Sequence, residues 1–226
     1  MPRESLDRQI RQLQDEILLL GSMVEQANLN AMEALKRRDV SIARKIQLDD
    51  NLINEKRYAI ENAIIIAFAT QQPMAHDLRT LTAYLEVSTE LERMGDYAKG
   101  IAKVVIRLGD ADIPIPLREL EQMASLALSM LHRALGAFIN ENTHLASQIP
   151  QEDSQVDDLF NRINRILVST MIADPEIIDH VNLLMWVGHN LERLADRVTN
   201  ICERTVLVTT GDLLVFEVES EEDIDA

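Results

Sequence analysis

The chain has 226 residues, a formal charge of −16, 4% aromatic residues, 7 Gly and 6 Pro. That charge argues against a nucleic-acid partner, because such binding draws its affinity from clustered Lys and Arg on the phosphate backbone. The scarcity of helix breakers, with Leu, Ile, Ala, Glu, Arg and Gln dominant, is the composition of packed helices, so the expected class is all-α with enough length to bury a core.

From Leu6 the apolar residues run Leu6, Ile10, Leu13, Ile17, Leu20, Val24, Ala27, Ala31 and Ala34. Alternating steps of four and three make the seam of a bundle helix. This first helix should stop near Arg37 to Asp39, where basic residues suit its C-terminal dipole and Asp39 can cap the next helix. The second helix then runs to about Thr70. Gln71-Gln72-Pro73 breaks it, since proline lacks an amide hydrogen and restricts the residue before it, and Pro73 suits a new helix start. The third helix continues to about Leu108. Residues 109–116, Gly-Asp-Ala-Asp-Ile-Pro-Ile-Pro, cannot be helical and read as a linker.

Beyond the linker the layout recurs: a helix over Leu117 to Asn142, another over Asp153 to Ala173, a break at Asp174-Pro175, and a third from Pro175 to about Val208. The halves share residues as well as plan. Asn190-Leu-Glu-Arg-Leu-Ala-Asp196 echoes Glu90-Leu-Glu-Arg-Met-Gly-Asp96, and Asp153-x-x-Val-Asp157 echoes Asp50-x-x-Ile-Asn54. Such a period signals internal duplication. The division expected is residues 1–108, a first three-helix repeat; 109–116, the linker; 117–210, a second repeat; and 211–226, an acidic tail whose like charges favour disorder.

Cys202 is the only cysteine, which forbids an intrachain disulfide, and its helical spacing marks it as core filler. No basic-then-apolar layout of a signal peptide opens the chain, and the longest apolar stretches, Ile17 to Leu20 and Ala63 to Ala69, are too short to cross a bilayer. A cytoplasmic location is the expectation. Trp186, Tyr84 and the Met residues sit at helical spacing and read as core, and His76, His144, His180 and His189 read as surface histidines.

Four residues apart on a helix means one face, roughly 5–6 Å between β-carbons. Glu92 with Asp96 and Glu192 with Asp196 are therefore side-by-side carboxylates, as are Asp50 with Asn54 and Asp153 with Asp157. Equal counts from the turn at Gln72 to Met74, 18 residues back to Asn54 and 18 forward to Glu92, place the two pairs at one height on antiparallel helices. The second hairpin repeats the coincidence. Glu25 on the first helix falls near that height, and His132 stands near it in the second repeat.

Carboxylates gathered at one height repel unless protonated, solvated or neutralised by a cation. All-oxygen sets suit Mg, Mn, Ca or iron better than zinc, which prefers His and Cys. Gly95 and Ala195 beside the acids leave room for close approach. The bland alternatives are a solvated acidic surface, or salt bridges to Arg93, Arg193 and Arg197. No phosphate loop, nucleophile elbow, His-Glu-x-x-His or Glu-x-x-His motif is present, so catalysis is not indicated.

Met23-Val-Glu-Gln-Ala27, Asp50-x-x-Ile-Asn54, Gln72-Pro-x-x-x-Asp-Leu-Arg79, Glu90-Leu-Glu-Arg-Met-Gly-Asp-Tyr-Ala98, Asp153-x-x-Val-Asp157 and Leu191-Glu-Arg-Leu-Ala-Asp196 together resemble one family, PhoU, over nearly the whole chain. The resemblance implies two tandem three-helix bundles, each with a multinuclear metal site. The ligands it implies are Glu92, Asp96, Glu192 and Asp196 from the motif, Asp50, Asn54, Asp153 and Asp157 from the preceding helix, and Glu90 as an extra. The metal would be a divalent or trivalent ion: iron, Mn, Mg or Zn. The sequence departs from the pattern at Asn54 and Asn190, where amides replace acids. The role implied is that of a cytoplasmic, dimeric negative regulator, not an enzyme, linking the ATPase subunit of the phosphate ABC transporter to the phosphate-sensing histidine kinase and reaching the membrane only through these partners. A carboxylate-bridged metalloenzyme or metal-storage bundle is the competing reading, and a helical scaffold that binds no metal is the third.

Overall fold

A computed structural model describes residues 2–212 and 214–216; the expected acidic tail lies, from Glu217 on, outside the described residues. Helix α1 spans Pro2–Arg37, and the seam read from its spacing is the face it buries, with Leu13, Ile17, Leu20, Val24, Ala31 and Ala34 all nearly inaccessible. Arg38 turns the chain at φ 53°, and Asp39 caps α2 (Val40–Gln71), its carboxylate accepting from the Ser41 and Ile42 amides at 2.8 and 3.0 Å. That cap satisfies two amides that the first helical turn leaves without a partner.

Helix α3 (His76–Leu108) begins three residues later than Pro73 suggested. Gln72 and Ala75 both adopt positive φ, 48° and 49°, so the connection needs all of residues 72–75 rather than a single break. The segment 109–116 is non-helical and is held to the α1–α2 turn by the Arg38 guanidinium, which donates to the Ala111 carbonyl and, at 2.8 Å, to that of Ile113.

The second repeat differs from expectation between its first and second long helices and at the start of its third, which begins at Ile178 rather than Pro175. Helix α4 (Leu117–Ile139) stops short of Asn142 because Glu141 takes φ 50°, and Asn142 instead caps a short helix α5 (Thr143–Gln148) by accepting from the Leu145 amide at 3.1 Å. A 3-10 turn, Ile149–Glu152, then feeds α6 (Asp153–Ala173), and the bidentate Arg133 to Glu152 pair ties this turn back to α4. After a 3-10 turn at Pro175–Ile177, α7 (Ile178–Thr210) completes the fold.

Helices α1, α2 and α3 form one three-helix bundle, and α4, α6 and α7 the other; the described residues contain no strand. The bundles join where α3 packs along α7 and α1 touches α4. Contacts between Arg79 and Val208, Glu86 and Arg204, and Gly100 and Asn190 fix α3 and α7 as antiparallel. Leu91, Met94, Ala98 and Ile101 of α3 and Val187, Leu191, Leu194 and Val198 of α7 are buried in one continuous core. Cys202 is core, as its spacing indicated, and burial pushes its thiol up to about 12. Tyr84 is core too, packed edge-on against Phe138 at 5.6 Å. Trp186 is not: it is 57% exposed, its ring 5.4 Å from that of His189, and Met74, in the α2–α3 connection, is exposed as well.

Truncating a fully buried Leu removes transfer energy and leaves a cavity. Leu191→Ala should therefore cost roughly 2–5 kcal/mol in denaturant unfolding, whereas Leu48→Ala on the exposed face of α2 should stay within about 0.5 kcal/mol. Cys202 should resist Ellman's reagent at pH 8 in the folded protein and react promptly in guanidinium, since the thiolate is the reactive form.

Candidate metal centre

Each bundle presents its carboxylates from a hairpin of two antiparallel helices, α2–α3 in the first and α6–α7 in the second. The heights agree with the residue count. Ile53, between Asp50 and Asn54, lies against Gly95, where an added β-carbon would come within 3.1 Å of its side chain. A side chain at position 95 would require Ile53 to give by a few tenths of an ångström.

In the first cluster a lysine stands among the acids. Lys99, one turn beyond Asp96, donates its ammonium to Asp50 Oδ2 at 2.6 Å and lies 3.9 Å from Asp96 Oδ1. Asn54 Nδ2 donates to the same Asp50 oxygen at 3.2 Å. Asp50 is 3% exposed, so its charge is removed from water and answered by these two donors. The pairing with Asp50 raises the Lys99 pKa. Burial and Asp96 push Glu92 above the usual carboxylate range, opposed by Arg57 and Arg93.

The second cluster is built differently. Asp153 opens α6 at 3% exposure, and neither of its carboxylate oxygens has a hydrogen-bond partner. Burial, with Asp196 and Asp157 nearby, pushes it up to about 7. Glu192 is likewise pushed to about 7 by burial first, then by Asp196, Asp157 and Asp153. Burial and Asp157 raise Asp196. The four acids Asp153, Asp157, Glu192 and Asp196 therefore share one electrostatic environment. Among the described residues no three His, Cys, Asp or Glu side chains are already gathered as a ligand set, so a cation would have to draw these carboxylates inward by rotamer change.

Two residues named from the sequence lie elsewhere. Glu90 faces α7 rather than α2, and its Oε2 accepts from Arg197 at 3.2 Å while Arg197 Nε also donates to the Tyr97 hydroxyl at 3.2 Å. Two positions before Glu92 means about 200° around the helix, which turns Glu90 to the opposite side. Its counterpart Asn190 lies in the same interface, beside Gly100 and donating to the Trp186 carbonyl. Glu25 pairs with His132 of α4 at 3.3 Å, between the bundles. Of the arginines considered as partners, Arg93 and Arg193 are exposed and Arg197 is engaged by Glu90 and Tyr97.

The sequence reading missed two neighbours of the acids. Lys99 follows Asp96 by three residues, and His189 precedes Glu192 by three, its Nδ1 3.4 Å from Glu192 Oε2. Both spacings put the side chains on the acids' own face. Burial, with Arg193, lowers the His189 pKa, which favours its neutral form.

An acid whose folded-state pKa lies above its unfolded value binds protons more tightly when folded, so stability is highest below the unfolded value and falls as pH rises through the folded one. With Asp153 and Glu192 at about 7, the metal-free protein should lose thermal stability between about pH 4 and pH 7. Asp153→Asn should flatten that slope in calorimetry under a chelator.

The PhoU domain model matches this chain twice, over residues 17–105 and 120–205, one match in each bundle. A phosphate-specific transport system accessory protein PhoU homolog of Clostridium acetobutylicum is 34% identical, covering 93% of this chain and 97% of that protein. A homolog of the same description from Rhizobium meliloti is 32% identical, covering 92% and 88%. The crystal structure of the phosphate transport system regulatory protein PhoU from Streptococcus pneumoniae superposes with a TM-score of 0.87 at 33% identity, covering 93% of this chain and 100% of that one. PhoU from Pseudomonas aeruginosa superposes at 0.86, with 29% identity and coverage of 91% and 99%. The paired helical hairpins, their acids and these full-length similarities identify the chain as a member of the PhoU family.

Proposed function

We propose that this protein is an accessory regulator of phosphate uptake, a cytoplasmic adaptor that restrains the phosphate ABC transporter through its ATPase subunit and relays transporter state to the phosphate-sensing histidine kinase. The observation that carries this reading is the match of both repeats to proteins named as phosphate transport accessory proteins, over 93% of this chain and 97% of the Clostridium acetobutylicum homolog. The chain's surface suits such work. Along α2 the side chains of Leu48, Leu52, Ile65 and Ile66 are more than half exposed, which leaves apolar surface on this helix for a partner helix or a second copy in a homodimer. No helix among the described residues is long and apolar enough to cross a membrane.

Metal belongs to this reading as a structural or docking element. A hard divalent or trivalent ion at Asp153, Asp157, Glu192 and Asp196 would neutralise their charges and tie α6 to α7. Asp153, buried with both oxygens unpartnered, is the group such an ion would satisfy.

Deleting the gene should leave phosphate-scavenging genes expressed at high phosphate, and restoring the full chain should silence them, measured with a reporter in phosphate-replete culture. Unchanged reporter expression after deletion would overturn the proposal.

A further inference from the structure

The two carboxylate clusters come from one duplicated hairpin, yet they treat charge in opposite ways. In the first, a protein cation already occupies the place between the helices. The Lys99 ammonium makes a 2.6 Å contact to the buried Asp50 carboxylate of α2 and stands 3.9 Å from Asp96 of α3, bridging the two helices as a metal would. The same Asp50 oxygen also accepts from Asn54, so its lone pairs face donors on two sides. In the second cluster the residue equivalent to Lys99 is Thr199, whose hydroxyl turns back to the Asp196 carbonyl at 2.6 Å, and the residue equivalent to Asn54 is Asp157. Asp153, the counterpart of Asp50, is buried to the same 3% with neither oxygen partnered, and buried Glu192 Oε2 has no hydrogen bond, with the His189 imidazole Nδ1 3.4 Å away.

We propose that Lys99 is the built-in cation of the first cluster, so that metal loads the second cluster alone and each chain carries one metal centre, on α6–α7. This rests on the metal-binding reading above and deepens it.

The physical reason is competition for one low-dielectric position. An ion entering the first cluster must pull Asp50 away from Lys99, which is itself only 29% exposed, and must then sit beside a displaced ammonium of like charge. The amide of Asn54 supplies one neutral oxygen where a carboxylate would supply two anionic ones. In the second cluster an ion displaces no ammonium, and it relieves a buried carboxylate that has no other donor. Asp153 and Glu192 would have to enter the coordination sphere, with Asp157 and Asp196 completing an oxygen set suited to a hard ion.

The test uses the full chain, stripped with chelator, reloaded with Mn2+ or with Fe3+, desalted, and counted for metal per chain by mass spectrometry, with circular dichroism to confirm folding. Wild type should retain metal. Glu92→Gln should leave the content unchanged, and Glu192→Gln combined with Asp153→Asn should reduce it at least tenfold. Lys99→Met combined with Asn54→Asp should gain a further increment that Glu92→Gln then removes. If Glu92→Gln also lowers the wild-type content severalfold, the first cluster loads too and the proposal fails while the metal-binding reading stands. If the Lys99 and Asn54 variant is folded and gains nothing, Lys99 is not what excludes metal and the proposal also fails. If neither ion is retained by wild type or by that variant, the metal-binding reading itself falls.

Discussion

The contact on which the rest of this molecule depends is the antiparallel packing of α3 along α7. Each is the third long helix of its repeat, and each has its own bundle on one side and the other repeat on the opposite side. Both therefore bury residues around most of their circumference, and the core runs through the junction without a gap. Burial of this apolar surface is the dominant favourable term. The polar contacts in the seam set register: Arg204 with Glu86, and Arg197 with both Glu90 and the Tyr97 hydroxyl, align α7 with α3. Gly100 lets Asn190 pack close there: an added β-carbon would lie 3.1 Å from the Asn190 amide nitrogen, which would have to shift by a few tenths of an ångström.

That seam also decides which acids can act together. Once α3 faces α7 with one side, only the side turned to α2 can present carboxylates to the partner helix of the hairpin. Glu92 and Asp96 lie on that side, and Glu90 does not. Duplication supplied two copies of the arrangement, and the copies diverged where one charge matters most. With Lys99 against Thr199 and Asn54 against Asp157, Asp50 has an ammonium and an amide as donors where neither oxygen of Asp153 has a hydrogen-bond partner. A buried charge without a partner costs several kcal/mol, which is why two substitutions on a shared scaffold change what a cluster will accept while leaving the helices in place.

Much of this was legible from the order of residues. The six long helices, the paired bundles and the height of the acids followed from apolar periodicity and from counting along a fixed rise per residue. The loop at 140–152 was not, because Glu141 gives no sign that it will take a left-handed conformation, and a propensity scan reads through it. Trp186 was misread for a related reason: periodicity locates a face of α7 but does not say which neighbours cover it. Lys99 and His189 had the right spacing to be noticed beside the acids. Their significance depended on whether the long side chains turn inward or out to solvent.

What the sequence alone determined is the class, the duplication and the candidate set of acids, since these rest on local rules: the helical period, the breaker residues and the four-residue spacing that makes two side chains neighbours. What only the tertiary structure decided is which of those acids are answered and by whom. Pairings such as Asp50 with Lys99, Glu90 with Arg197 and Glu25 with His132 join residues far apart in the chain, and they exist because packing brings one helix face against another and removes the water that would otherwise screen the charge.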